Sequence, residues 1–217
     1  MIKEIELNGK KIRFRKWKVK DKRNLDKAQT TPERRQIFVY DCLEDPNTPL
    51  DIEEYNYVLA CIRDFSLHTP LNYEVECPDC HHKIQMGQTA LQVVEPIYAR
   101  YSLIEFKGHS IEVGGIRDKQ TYEGAILKAV TAMERYITDF ALHILKIDGN
   151  DVTSIEEVVA FIEDLDVDDY ESVFEQWDSM RFKCNVIHPV ECPECKKTHD
   201  IDFSDMPTFF PASWGIE

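Results

Sequence analysis

The sequence predicts an α+β fold, mostly helical, made of two tandem pseudo-repeats that each carry a short β-hairpin and a zinc-ribbon-like cysteine knuckle. Three observations predict it: a repeat at a fixed offset of 115 residues, a helical spacing of apolar side chains inside that repeat, and two Cys-x-x-Cys turns in the same register. Leu50-Asp51-Ile52-Glu53-Glu54-Tyr55 recurs as Leu165-Asp166-Val167-Asp168-Asp169-Tyr170, and Val75-Glu76-Cys77-Pro78-Asp79-Cys80 as Val190-Glu191-Cys192-Pro193-Glu194-Cys195. No gap separates the two matches, and nine residues between 50 and 80 are identical at this offset.

Taken in order, Ile5-Glu6-Leu7-Asn8-Gly9 with Ile12 reads as a hairpin, since apolar residues alternate around a turn that favours glycine. Thr31, followed by Pro32 at the first helical position, starts a helix to about Glu44. Ile52, Tyr55, Val58, Leu59, Ile62 and Phe65 form one face of a helix capped by Asp51. Tyr73-Glu74-Val75 approaches the first knuckle as a strand. The second half starts with a matching hairpin, Ile104 to Gly108 with Ile111. Residues 119–146 read as one long helix, with Ala125, Ile126, Val130, Met133, Ile137, Phe140 and Ile144 on one face. Asp148-Gly149-Asn150 is a turn, and Ser154 with Glu157 opens a helix to about Asp164. Val167, Tyr170, Val173, Phe174, Trp177 and Met180 repeat the steps of the first-half helix, and Val186-Ile187-His188 approaches the second knuckle. The halves are residues 1–98 and 99–217, expected to form one compact unit joined by a shared zinc site.

Zinc in a structural site takes four ligands, and one Cys-x-x-Cys turn supplies two. Cys77, Cys80, Cys192 and Cys195 together complete one tetrahedral Zn2+ site between the halves. Histidines offer the alternative: His81 and His82 follow the first pair and His199 the second, so a separate site of two Cys plus His in each half stays open. Pro78 and Pro193 inside the pairs do not suit a thioredoxin-like redox turn. A closed four-cysteine site has no position for substrate, which points to structure rather than catalysis. Cys42, Cys61 and Cys184 lack partner spacing and read as small core residues.

The 26 basic and 40 acidic residues give a formal charge of −14, which opposes general nucleic-acid binding through phosphate contacts. The charge is uneven. Residues 1–23 hold ten Lys or Arg against Glu4, Glu6 and Asp21, a local +7 that leaves −21 on the rest. Lys16 and Lys18 lie in this basic stretch, which reads either as a solvated face or as a docking edge for an acidic neighbour, a second copy of this chain included. Phe209, Phe210 and Trp214 near the C-terminus read either as part of the core or as an aromatic anchor for a partner. No apolar run is long enough to span a membrane, and the first residues lack the apolar stretch of a secretory signal. Phosphate-loop, dinucleotide, zinc-protease and nucleophile-elbow motifs do not occur, so no enzyme is expected. His143 has no partner spacing for catalysis and reads as a packed or surface histidine.

These residues resemble the baseplate hub and baseplate assembly proteins of contractile-tailed, T-even type bacteriophages. The resemblance rests on Ile5 to Phe14-Arg15, on Asp41-Cys42, on the Leu50-Asp51 helix start, on the Tyr73 to Cys80 approach and on Ile147-Asp148-Gly149-Asn150 before a short helix. It implies a non-enzymatic structural or assembly protein of the tail baseplate, in its hub region. It further implies other tail and baseplate proteins as partners, a place in the host cytoplasm during assembly, and the virion baseplate if the protein is retained. The reading that competes with it is a zinc-ribbon protein regulating a nucleic-acid transaction such as transcription.

Overall fold

The computed structural model describes residues 1–203. The elements in chain order are β1 (Ile2–Leu7), β2 (Lys10–Arg15), α1 (Val19–Leu25), α2 (Thr31–Phe38), a 3-10 turn (Tyr40–Cys42), α3 (Ile52–Ser66), β3 (Leu71–Glu76), β4 (Lys83–Gln88), α4 (Ala90–Val93), β5 (Glu95–Ile97), β6 (Leu103–Phe106) and β7 (His109–Val113). They continue as α5 (Lys119–Lys128), α6 (Ala132–His143), β8 (Ile144–Ile147), β9 (Asn150–Asp151), α7 (Ile155–Glu163), α8 (Val167–Met180), β10 (Lys183–Asn185), β11 (Ile187–Glu191) and β12 (Thr198–Asp202).

Among the described residues helices take 40% and strands 27%, so the expectation of a mostly helical chain is overturned. Two local causes account for the difference. The stretch predicted as one helix over 119–146 is α5, α6 and β8. Thr131 caps α6: its hydroxyl accepts from the Glu134 amide, while the Glu134 carboxylate accepts from the Thr131 amide. That capping box starts a new helix in the middle of a continuous apolar periodicity. Ile144–Ile147 then leaves the helix to pair with β7, Ile111 opposite Ile147. The second cause is a set of very short strands whose partners lie elsewhere in the chain: β5 pairs with β10, and β9 with β8. The ribbon expected at each knuckle forms, with β4 and β12 pairing antiparallel with β3 and β11. Smaller shifts occur too: Thr30, one residue before the predicted cap, caps α2, which ends at Phe38.

The repeat is visible in the elements. Both hairpins form with the expected register, Ile5 opposite Ile12 and Ile104 opposite Ile111. Their turns are Asn8-Gly9 (φ 49° and 76°) and Lys107-Gly108 (φ 45° and 90°), the left-handed pair that a two-residue hairpin needs. α3 and α8 start 115 residues apart, and so do the return strands β4 and β12 of the two ribbons. Asp166 occupies the cap position of α8 but makes no side-chain cap hydrogen bond.

The described residues pack as two compact units: residues 1–46, 53–97 and 184–203 in one, residues 47–52 and 98–183 in the other. The second ribbon thus packs in the same unit as the first. In this unit Leu7, Ile12, Phe14, Val39, Tyr40, Val58 and Ile62 are buried. Phe14 meets Phe65 edge-on at 6.0 Å. Glu54 of α3 is buried here as well, its carboxylate accepting from Asn8 Nδ2 at 2.9 Å and Lys10 Nζ at 2.8 Å. A second cluster joins Ala60, Leu71, Ile84, Ala90, Val93, Val190 and Phe203 with Cys77 and Cys192. The other unit is built around Trp177 of α8, whose ring centroid lies 5.0 Å from Phe140 and 5.2 Å from both Phe174 and His143. Ile104, Ile111, Val158, Ile162 and Val173 complete that core. His143 is fully buried, with Nδ1 3.3 Å from the Gly114 carbonyl.

Candidate metal centre

Each knuckle is a tight turn set by backbone hydrogen bonds. The Cys77 amide donates to the His82 carbonyl at 2.9 Å, and the His81 amide donates back to the Cys77 carbonyl at 2.9 Å. In the second ribbon the Cys192 amide donates to Lys197 at 2.8 Å and the Lys196 amide to Cys192 at 3.0 Å. His81 (φ 57°) and Lys196 (φ 60°) hold the same left-handed conformation, one residue after the second cysteine of each pair. Residues with a side chain rarely adopt it, and two occurrences at one position mark a turn held by its surroundings.

These turns bring the four sulfurs together. Cys77, Cys80, Cys192 and Cys195 offer Sγ atoms that all lie within 4.8 Å of one another. Across the ribbons, Cys77 is 3.7 Å from Cys195 and Cys80 is 3.6 Å from Cys192. Four sulfurs each about 2.3 Å from a central zinc ion stand about 3.8 Å apart in a tetrahedron, so the cluster has the size a metal needs. Cys77 and Cys192 are buried in the ribbon core, whereas Cys80 is exposed and Cys195 half-buried.

Proton affinity alternates around the cluster. The amides of Cys195 and Glu194, aimed at the Cys192 sulfur, lower its pKa to about 7. At Cys77 burial acts upward, but the amides of Cys80 and Asp79 outweigh it and the pKa falls. At Cys80 the His82 amide acts downward, yet burial and the other three sulfurs push the value up to about 12. Cys195 is raised in the same way: the Lys197 amide acts downward and the neighbouring sulfurs prevail. Four thiols this close resist full ionisation, and a dication is the group that relieves the repulsion.

The histidines stand apart from the sulfur cluster to different degrees. His81 is exposed and its Nδ1 is 2.7 Å from Glu76 Oε1. His82 is exposed, and its carbonyl rather than its ring serves the knuckle. His199 borders the site: its Nε2 is 3.5 Å from Cys77 Sγ and 3.4 Å from Asp79 Oδ2. Lys197 Nζ pairs with the same carboxylate at 3.0 Å. Of this outer ring the sequence points only to His199, as a possible ligand; Asp79 and Lys197 carry no such signal, because the repeat places His82 at the position of Lys197.

A model of the T4 bacteriophage base plate protein family matches residues 1–211, both knuckles included. The chain belongs to that family. It is a phage baseplate protein with a structural role, as the resemblance implies. Among curated proteins and solved structures there is no significant match.

Other residues singled out in the sequence fall as follows. Lys16 of this baseplate protein is half-buried with Nζ 4.9 Å from the centre of the Phe65 ring, and Lys18 is exposed. Phe209, Phe210 and Trp214 lie outside the described residues. Burial pushes the Cys42 and Cys61 thiols up to about 12, so both behave as small apolar core residues. Cys184 is half-buried, its Sγ 3.4 Å from the Glu53 carbonyl. No helix among the described residues is long and apolar enough to cross a membrane.

Proposed function

We propose that this chain is a non-enzymatic structural or assembly protein of the baseplate hub region, and that Cys77, Cys80, Cys192 and Cys195 hold one structural Zn2+. The observation that carries the zinc reading is the sulfur spacing of 3.6 and 3.7 Å across two ribbons that are 112 and 118 residues apart in sequence. Zinc would supply a cross-link there and nothing else, since four thiolates close its coordination shell. Residues 1–98 and 99–217 are read as tandem repeats, supported by the matched hairpins, helices and knuckles. Partners are other tail and baseplate proteins, met in the host cytoplasm during assembly; the family match supports this reading. The net charge of −14 weighs against a role in binding nucleic acid.

Two measurements test the proposal. Elemental analysis of the purified chain should give one zinc per chain, and cobalt substitution should give the spectrum of four sulfur ligands. A nitrogen-containing ligand set or no bound metal would refute the site. Quantitative mass spectrometry of virions should find the protein at a few copies per particle if it is retained, or only in infected cells if it acts in assembly. Its absence from both the virion and isolated baseplate intermediates would refute the placement.

A further inference from the structure

Two short stretches of this chain mirror each other in charge. Lys16-Trp17-Lys18-Val19-Lys20 leads into α1, and Asp164-Leu165-Asp166-Val167-Asp168 leads into α8. The correspondence keeps one spacing beyond the five residues: Arg23 and Lys27 stand opposite in sign to Glu171 and Glu175 at the same intervals. In each stretch the valine at the fourth position is left in water at the start of its helix, Val19 at 88% exposure and Val167 at 71%. Lys18, Lys20, Arg23 and Lys27 are exposed and make no ion pair among the described residues. The same is true of Asp164, Asp166, Asp168, Glu171 and Glu175. The surroundings extend each sign. Residues 1–23 hold ten basic residues, while residues 156–178 hold ten acidic residues and not one Lys or Arg.

We propose that copies of this chain bind head to tail, the basic α1 edge of one docking on the acidic α7–α8 face of the next. Each patch is an apolar residue among exposed charges that are mostly of one sign, and these are opposite in sign at matching intervals; Asp21 and Asp169, both acidic at the same interval, are paired within the chain to Arg15 and Lys107. Both lie on one chain, so a second copy is the occupant that this complementarity selects. Two different patches make a heterologous contact, which closes into a ring or runs on as a filament. Exposed ion pairs each contribute little, and the net charge of −14 repels copies at long range, so the contact is weak and salt-sensitive.

Sedimentation of the full chain tests this without reference to the metal. The unaltered protein should form concentration-dependent species above the monomer at about 0.05 M salt and lose them at about 0.5 M, where the screening length falls to a few ångströms. The variants Lys20→Glu with Arg23→Glu, and Asp168→Lys with Glu171→Lys, should each weaken self-association by about tenfold or more. An equal mixture of the two variants should associate again, because each then offers the sign that the other lacks. A monomer at every concentration in low salt overturns the proposal, as does a mixture that stays monomeric. Duplex DNA binding by a chain that does not self-associate would assign the basic edge to nucleic acid and also overturn it. Zinc content and thermal transition, measured on the same variants, should be unchanged, which separates this contact from the metal centre.

Discussion

Replacing Cys77 with Ser removes one of four sulfurs from a position with no exposure to solvent. Cys77 and Cys195 are 118 residues apart, and their sulfurs lie 3.7 Å from each other. A cross-link closing a loop of this length removes chain entropy worth about 5 kcal/mol from the unfolded state. Domains of this size lose roughly 2–4 °C of melting temperature per kcal/mol, so Cys77→Ser should melt about 10–20 °C below the parent. Stripping the metal from the unaltered protein with a chelator should reproduce that shift. The assay pairs circular dichroism melting with elemental analysis after gel filtration. On the proposed shared site, Cys192→Ser should lose the metal as completely as Cys77→Ser does. A variant that keeps half of the zinc would show two separate sites. Complete metal loss with a shift under about 3 °C would show that the ion does not close the loop, and the entropy argument would fail.

Other perturbations reach parts of the structure that the metal does not. Trp177→Ala should cost about 3–5 kcal/mol, since the side chain is fully buried against Phe140, Phe174 and His143 and leaves a large cavity; urea unfolding followed by circular dichroism measures it. Glu54→Ala should cost about 2–4 kcal/mol, because it removes the buried carboxylate that accepts from Asn8 and Lys10, and a denaturant midpoint near the parent's would contradict this. Asp21 is a pH probe: burial acts upward, but the Arg15 guanidinium and the Lys18 amide hold its pKa below the ordinary value. A folded pKa below the unfolded one stabilises above the unfolded value and is lost as pH falls through the folded one. Asp21→Asn should therefore destabilise at neutral pH and flatten the loss of stability below about pH 4, read from urea midpoints at several pH values.

Much of this architecture is legible because the signals are local. Asn8-Gly9 and Lys107-Gly108 specify their hairpins by turn chemistry alone. The steps of apolar residues from Ile52 and from Val167 specify α3 and α8, and Cys-x-x-Cys specifies each knuckle. What escapes is decided by partners far away in sequence. Ile144-Leu145-Lys146-Ile147 is a four-residue apolar run that continues a helical pattern as well as it forms a strand. Only the edge of β7 makes it β8. β5 and β10 are three residues each and form only by pairing with one another. The packing of residues 184–203 with the first ribbon is legible only through the four cysteines, which together call for one shared site.

The outer shell of the metal centre shows how far a repeat can be trusted. The offset of 115 reproduces the sulfurs, the turn hydrogen bonds and the left-handed residue after each pair. It does not reproduce the charges around them. Four thiolates on a dication leave a double negative charge, which needs a donor or a cation nearby if it is not to raise the energy of a partly buried site. The second ribbon supplies both: Lys197 sits beside Asp79, and His199 Nε2 faces the Cys77 sulfur at 3.5 Å. The first ribbon has His82 and Ile84 at those positions and contributes Asp79 instead. Compensation therefore runs from the second knuckle to the first, across the ribbons. Both knuckles carry a carboxylate between their cysteines, Asp79 and Glu194, so the asymmetry lies in Lys197 and His199, which the first ribbon lacks. The two halves have become complementary around an identical sulfur core, and that difference makes this a centre for two unlike ribbons rather than for two equal ones.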